Sequence, residues 1–380
     1  MLNPEIISKI ETLIQQEYQL RFNVVTNRLE QLNTKNNCHI PVNDYQYNSI
    51  LRGLNKRGLP CTMKELQQIL ESDFIAKVDP IRGYFEQLEE WNKETDYIEC
   101  LARTVSTPND EYWQKYFKKW IVGITASILE QKPNHTMLVF CGKQGLGKTS
   151  WLNALIPSSL SSYMYNGIIN TRNKDTLIYL SECILIIMDE LEILNKTQLG
   201  GLKQLITNPS IRLRRPYSRN AEDMLRRASF CASVNNKKFL VDKTGNRRFL
   251  CFETTHIDYQ HNVDLDKVYA QAIYLLRDGF QYWLDAKAIK ECNLNNVTFS
   301  KRSIEEELLL SCFTAKEGIH AEYYLETTEI RDTIAKSKNI PVDNIRLKSL
   351  GAALRKNDFI KLKVKGRQKY RLTPKEGVLI

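Results

Sequence analysis

The most specific chemistry in this chain lies in eight consecutive residues, Gly142-Lys143-Gln144-Gly145-Leu146-Gly147-Lys148-Thr149. They fit the phosphate-binding loop (P-loop) pattern, in which glycines let successive backbone amides turn inward around an anion. Lys148 is then placed to reach the β- and γ-phosphates of a nucleoside triphosphate, and Thr149 to offer its hydroxyl to Mg²⁺. The pattern carries meaning only between a buried strand and a helix. The apolar run 137–141 supplies the strand, and the helix that follows would point its positive end at the anion.

A second apolar run, 183–188, ends in Asp189-Glu190. An acidic pair at the carboxyl end of a core strand can divide the work of phosphoryl transfer to water. Asp189 would hold the Mg²⁺ shell, and Glu190 would orient or deprotonate the attacking water. A third run, 229–234, ends in Asn235, whose amide can hydrogen-bond that water or the γ-phosphate; the alternative is a turn asparagine. Then Asp242-Lys243-Thr244-Gly245-Asn246-Arg247-Arg248 leads paired arginines into an apolar strand. Either Arg247 or Arg248 can serve as an arginine finger on a neighbour's γ-phosphate, the alternative being two surface arginines beside a strand.

Basic residues cluster twice more. Lys203 precedes a stretch in which Arg212, Arg214 and Arg215 lead to Tyr217, on what reads as a hairpin. Cations sharing a face with an aromatic ring suit single-stranded nucleic acid, although nucleotide phosphate or a neighbour's acids would also satisfy them. Near the carboxyl terminus Lys361, Lys363 and Lys365 alternate, so they share one face of a strand. They would follow a nucleic-acid backbone or simply guard a solvated sheet edge.

These groups need elements to position them. Continuous apolar runs separated by polar helical segments predict an α/β core with a parallel sheet buried on both faces. Residues 1–115 show helical periodicity and predict an N-terminal helical domain, 116–290 the core, and 291–380 a C-terminal module. A helix is expected over 112–129 and another over 265–276, and the polar stretch 293–296 reads as a linker. The tail reads helix (327–335), helix (344–356), then a hairpin over 360–372 turned at Gly366, an order resembling a winged helix.

Composition sets bounds. The 380 residues are 42% apolar and 26% charged, which fits two or three folded domains and excludes dominant disorder. The net charge of +10 favours an anionic partner, and the segment from Lys301 onward holds 17 Lys and Arg against 11 Asp and Glu. The nine cysteines form no Cys-x-x-Cys pair and lie 20 or more positions apart, so they are expected as reduced thiols rather than a zinc site. No apolar run reaches membrane-spanning length and residues 1–10 lack the pattern of a secretory signal, so a cytoplasmic protein without a membrane partner is expected.

The P-loop, Asp189-Glu190, Lys203 with Thr207, Arg215-Pro216-Tyr217, 230–235 and the 242–249 segment together resemble the virulence-associated E (VapE) family. The resemblance covers about 75–255. It extends weakly to Arg21-Phe22-Asn23-Val24-Val25-Thr26-Asn27-Arg28-Leu29-Glu30, similar to an upstream segment of that family. It implies a P-loop ATPase of phages and mobile elements, related to superfamily 3 helicases and the AAA+ class, with Walker A and Walker B motifs. ATP and Mg²⁺ are the implied cofactors and single-stranded or forked DNA the implied partner. A homo-oligomeric ring such as a hexamer is expected. Longer relatives carry a primase upstream; none is visible here, so priming is expected from a separate chain or not at all.

The leading expectation is an ATP-hydrolysing DNA helicase or translocase acting in replication of a mobile element or phage. The rival is an ATP-switched DNA-binding or loading protein that separates no strands. A GTPase is disfavoured because no Asn-Lys-x-Asp guanine-reading motif occurs, and a small-molecule kinase would not need Asn235 with Arg247-Arg248.

Overall fold

The computed structural model describes residues 3–35, 37–170, 173–215, 220–240, 245–315, 323–364, 366–378 and 380. The chain divides into two compact units, Met1–Lys237 with Thr244–Thr298, and Lys238–Lys243 with Phe299–Ile380.

The first unit opens with α1 (Pro4–Glu17), started by Asn3, whose side chain accepts from the Glu5 N–H. Strands β1 (Leu20–Asn23), β2 (Arg28–Asn33) and β3 (Cys38–Pro41) follow, then α2 (Asp44–Lys56), α3 (Met63–Leu70) and β4 (Lys77–Val78). The strands form one sheet in the order β3-β2-β1-β4, so the N-terminal region is mixed rather than helical as expected. The reason lies in the strands themselves: β3 has four residues with none buried, and β2 buries only Leu29 and Glu30, so neither writes an apolar alternation into the sequence. The helices do, burying Ile10, Ile14, Ile50, Leu54, Leu66 and Leu70 in a shared core. The segment 21–30 is the β1–β2 hairpin, its turn closed by Asn23 Oδ1, which accepts from the Val25 and Thr26 amides.

Helices α4 (Pro80–Glu86) and α5 (Tyr97–Ala102), strand β5 (Val105–Ser106) and α6 (Asp110–Leu129) lead into the core. Asn109 caps α6, a helix of 20 residues that runs straight through the expected boundary at 115/116. Its buried face stacks Trp113 and Phe117 against Phe140 and Trp151, with ring centroids 4.7–6.1 Å apart. The central sheet comprises β6 (Met137–Cys141), β7 (Met164–Asn166), β8 (Leu185–Met188), β11 (Ser229–Val234) and β12 (Phe249–Glu253), all parallel, in the order β12-β6-β11-β8-β7. Every residue of β6, β8 and β11 is buried, as expected of strands covered on both faces. Between them lie α7 (Lys148–Asn153), α8 (Lys174–Glu182), α9 (Lys196–Thr207) and a separate hairpin of β9 (Ser210–Leu213) and β10 (Glu222–Leu225). Strand β13 (His256–Ile257) pairs with β5, and α10 (Leu265–Arg277) packs on α6.

Residues 293–296 are not the expected linker. They belong to α11 (Ala286–Val297), and two of their amides hold the β12 backbone: Asn296 Nδ2 donates to Asn246 and Phe249 carbonyls at 2.8 Å each, Asn295 Nδ2 to the Cys251 carbonyl at 2.8 Å. A helix whose inward contacts are amide hydrogen bonds looks polar in sequence. The divide between units consequently falls after Thr298 rather than at 290.

Arg226, 1% exposed, precedes β11 and donates to the carbonyls of Asn208, Ile206, Asn134 and Ala228, over the Phe230 ring. No carboxylate is among these partners, and burial pushes its pKa down to about 9. Removing it strands four buried carbonyls, one of them closing α9. Arg226→Met should therefore destabilise the protein by about 3 kcal/mol or more, measurable by denaturant or thermal unfolding.

The second unit contains α12 (Ile304–Cys312), β14 (Phe313–Thr314), β15 (Tyr323–Leu325), α13 (Thr327–Lys338), α14 (Leu347–Lys356), β16 (Lys361–Val364) and β17 (Arg367–Pro374). The expected helix, helix, hairpin order is present, with Gly366 in the left-handed region at φ +82° in the hairpin turn. One core joins Leu309, Phe313, Ile330, Ile334, Leu350 and Leu354, and the buried Glu306 pairs with Lys356 at 2.8 Å. Among the described residues no helix is long and apolar enough to cross a membrane.

Candidate active site

The carboxyl ends of β6, β11 and β8, three neighbours in the sheet, bring the predicted groups together. The loop after β6 turns through Gly145 (φ +85°) and Gly147 (φ +82°), conformations that favour glycine. Lys148 then starts α7. The residue is 5% exposed, and its ammonium donates to the carbonyls of Gly142 (2.7 Å) and Lys143 (2.8 Å) and to Asn235 Oδ1 (3.1 Å). Burial lowers its pKa from the usual lysine value, opposed by the nearby Glu192 and Asp189 carboxylates.

Beside it, Asp189 Oδ1 accepts from Thr149 Oγ1 and from Ser233 Oγ, both at 2.8 Å. A carboxylate and a threonine hydroxyl side by side are the hard oxygen donors magnesium takes. Among the described residues no group of three His, Cys, Asp or Glu forms a cage by itself. A cation here would need oxygens from a ligand, as Mg²⁺ does when phosphates complete its shell.

Glu190 is exposed and stands at φ +54°, a conformation uncommon outside glycine that costs roughly 1 kcal/mol or more. It begins the turn Leu191–Ile193, whose Glu192 accepts the Asn235 N–H through Oε1 at 2.8 Å. Glu192 Oε2 is buried with no hydrogen-bond partner among the described residues. Glu192 and Ser233 are site residues that sequence reasoning missed. The third acid of Asp-Glu-Leu-Glu was a visible signal for Glu192, whereas only the register of β11 on β8, with Ala232 opposite Met188, places Ser233 by Asp189.

Arg247 and Arg248 are not brought to this site. They sit in a turn, Asn246–Arg248, before β12, and Phe249 is level with Met137 at the start of β6. Five residues of strand, about 15 Å, separate them from the loop. The turn is held by Lys203 Nζ, which donates to Asn246 Oδ1 at 3.1 Å, and by Asn296. Arg247 is exposed; Arg248 is half-buried, its Nε buried with no hydrogen-bond partner among the described residues and its pKa lowered by burial and by Arg247. Both line a cleft of about 700 Å³ with Lys132, His135, Tyr282 and Trp283, and no carboxylate is among its described lining residues.

The expected nucleic-acid residues divide. Lys203 lies in α9, is only 6% exposed, and turns its ammonium to Asn246 of the arginine-bearing turn rather than toward the hairpin. Arg215 pairs with Glu182 and donates to the Val25 and Thr26 carbonyls, clasping the β1–β2 turn. Arg212 and Arg214 are exposed, but Arg212 stands opposite Asp223 across the hairpin, which offsets the expected basic stripe. Lys361 and Lys363 are exposed on one face of β16. Tyr217 and Lys365, with Asp242 and Thr244 of the arginine segment, lie outside the described residues.

Architecture and site together define a mixed α/β protein in which the carboxyl ends of a parallel sheet gather a lysine, two hydroxyls and three acids. The virulence-associated protein E-like domain matches residues 85–301, more than half the chain, and the protein belongs to that family. No curated protein matches the sequence. Two solved structures of the NrS-1 C-terminal region, residues 305–718, are similar at low identity. One shares 11% identity at a TM-score of 0.49, over 98% of this chain and 100% of that one; the other shares 11% at 0.47, over 97% and 99%.

Proposed function

We propose that this chain is a Mg²⁺-dependent ATPase acting on DNA, a helicase or translocase in the replication of a mobile element or phage. The observation that carries the reading is the convergence of Lys148, Thr149, Asp189, Ser233 and Asn235 at three adjacent strand ends. Lys148 and the 142–147 loop would hold the phosphates as a P-loop, with the lysine leaving its own loop carbonyls for phosphate oxygens. Thr149 and Asp189 would hold Mg²⁺, which when bound draws charge from the phosphates. Glu190 would accept the proton of the attacking water, and Asn235 would orient it. Membership of the virulence-associated protein E-like family supports the assignment.

The remote Arg247 and Arg248 fit a ring of identical subunits. Lying at the amino ends of the strands, they would serve the nucleotide of a neighbour, and their carboxylate-free cleft suits an incoming anion. The order of the second unit, a helix, two short strands, two helices and a hairpin, supports reading it as a winged helix, in which Lys361 and Lys363 would lie on the wing. Lys361→Glu with Lys363→Glu should lower DNA affinity and flatten the salt dependence, the slope of log K against log salt falling by about 1.5 to 2. Filter binding across a salt series checks this, and an unchanged slope would remove the wing from the interface.

The motor reading is tested by ATP turnover with and without single-stranded DNA, alongside oligomeric state. Strong stimulation in a ring-forming protein is the expected result. DNA binding without stimulation would instead mark a nucleotide-switched loading protein.

A further inference from the structure

We infer that Tyr259 is the stacking platform for the base of the bound nucleoside triphosphate. The inference rests on the nucleotide reading above and extends it to the other end of the ligand. The groups suited to phosphate and cation, Asn235 and Asp189, come from β11 and β8, on one side of the strand that carries the loop. On its other side lies β12, and the chain leaving β12 crosses back over the loop.

That strap is fixed along its length. Thr254 donates to the Cys141 carbonyl through N (2.7 Å) and Oγ1 (3.2 Å), Thr255 N to the Ser106 carbonyl (2.9 Å), and Asp258 N to the Thr104 carbonyl (2.8 Å). Two loop glycines make room for it. A Cβ on Gly142 would stand 2.6 Å from Thr254 Oγ1, and one on Gly147 would stand 2.3 Å from Cδ1 of Tyr259. The Tyr259 ring therefore rests on the backbone of the residue just before Lys148. Two residues further along, the His261 ring lies 6.3 Å from that of Trp151, whose Nε1 donates to Thr104 Oγ1 at 2.7 Å.

A tyrosine placed to fill a core would be buried. Tyr259 is 46% exposed although Asp258 just before it is tied to Thr104. A triphosphate with its γ end toward Asp189 and Asn235 extends its sugar and base toward β12, where this open ring face stands. Stacking reads the π-face and not the base edge, so the platform serves nucleoside triphosphates as a class.

The test compares ATP with tripolyphosphate, which carries the same charges and no base, by equilibrium titration of the full chain in the presence of Mg²⁺. Tyr259→Ala should weaken ATP binding about 5- to 150-fold and leave tripolyphosphate affinity unchanged, and Tyr259→Phe should bind both as the wild type does. Lys148→Ala should weaken both ligands. If ATP binding depends on Lys148 but not on Tyr259, the platform is wrong and the nucleotide site stands. Tighter ATP binding in Tyr259→Ala would make the ring a lid, and equal weakening of both ligands would make it a support of the loop; either overturns the inference. A wild-type protein that binds neither ligand overturns the nucleotide reading and this inference with it.

Discussion

On the proposed function, Lys148→Ala should abolish ATP hydrolysis, lowering turnover by about 10³-fold or more, and weaken nucleotide binding. The lysine is the only cation among the described residues joined by hydrogen bonds to both the 142–147 loop and Asn235. It would share with Mg²⁺ the neutralisation of the charge that shifts between β- and γ-phosphates. Its ammonium also ties the loop to the end of β11, so thermal unfolding should accompany the assay to show that the variant is folded. Glu190→Gln should behave differently, binding ATP and hydrolysing it slowly, because the carboxylate proposed to take the proton would be gone while the phosphate contacts remain. Glu192→Gln is the informative companion. An amide oxygen can still accept the Asn235 N–H, so this variant keeps most of its turnover if Glu192 only positions Asn235. A Glu192→Gln defect as deep as that of Glu190→Gln would move the base to Glu192, whose second oxygen is buried and unpartnered among the described residues. Wild-type turnover in Lys148→Ala would show the site assignment to be wrong.

If an arginine finger completes the site from a neighbour, replacing it should lower turnover by several orders of magnitude while ATP still binds within each subunit. Strand alternation would have let only one of Arg247 and Arg248 face a nucleotide. Both precede the strand in a turn, so both must be tested singly. Arg248 is the stronger candidate: its guanidinium is partly desolvated, it lines the carboxylate-free cleft, and its Nε has no partner among the described residues. Mixing the inactive arginine variant with Glu190→Gln unites, at some interfaces, one intact Glu190 with one intact arginine. Recovered hydrolysis in the mixture is the expected result. Full turnover by both arginine variants, or by a dilute monomer, would remove the ring.

The central sheet was legible because β6, β8 and β11 are buried on both faces, and burial on both faces leaves continuous apolar runs in the sequence. The glycine-rich loop was legible because glycines at positive φ followed by lysine are a local pattern. What was hidden depends on tertiary contacts. The four-residue, largely solvated β3 carries no period, and β7 is a three-residue edge. The asparagines of α11 read as a linker because their amides, not apolar groups, make the inward contacts. Lys203 and Arg215 read as surface cations although the fold spends one on a buried turn and the other on Glu182. A basic residue's partner is set by what packs against it, which spacing alone does not record.

On the proposed function, the 142–149 loop with Asp189 and Glu190 hydrolyses ATP with magnesium. Release of inorganic phosphate from ATP by the purified chain, with Mg²⁺ and with excess chelator, tests it most directly. Turnover with Mg²⁺ and none with chelator is the expected result. Equal turnover in both, or a folded wild-type protein that releases no phosphate even with Mg²⁺ and single-stranded DNA present, would contradict it.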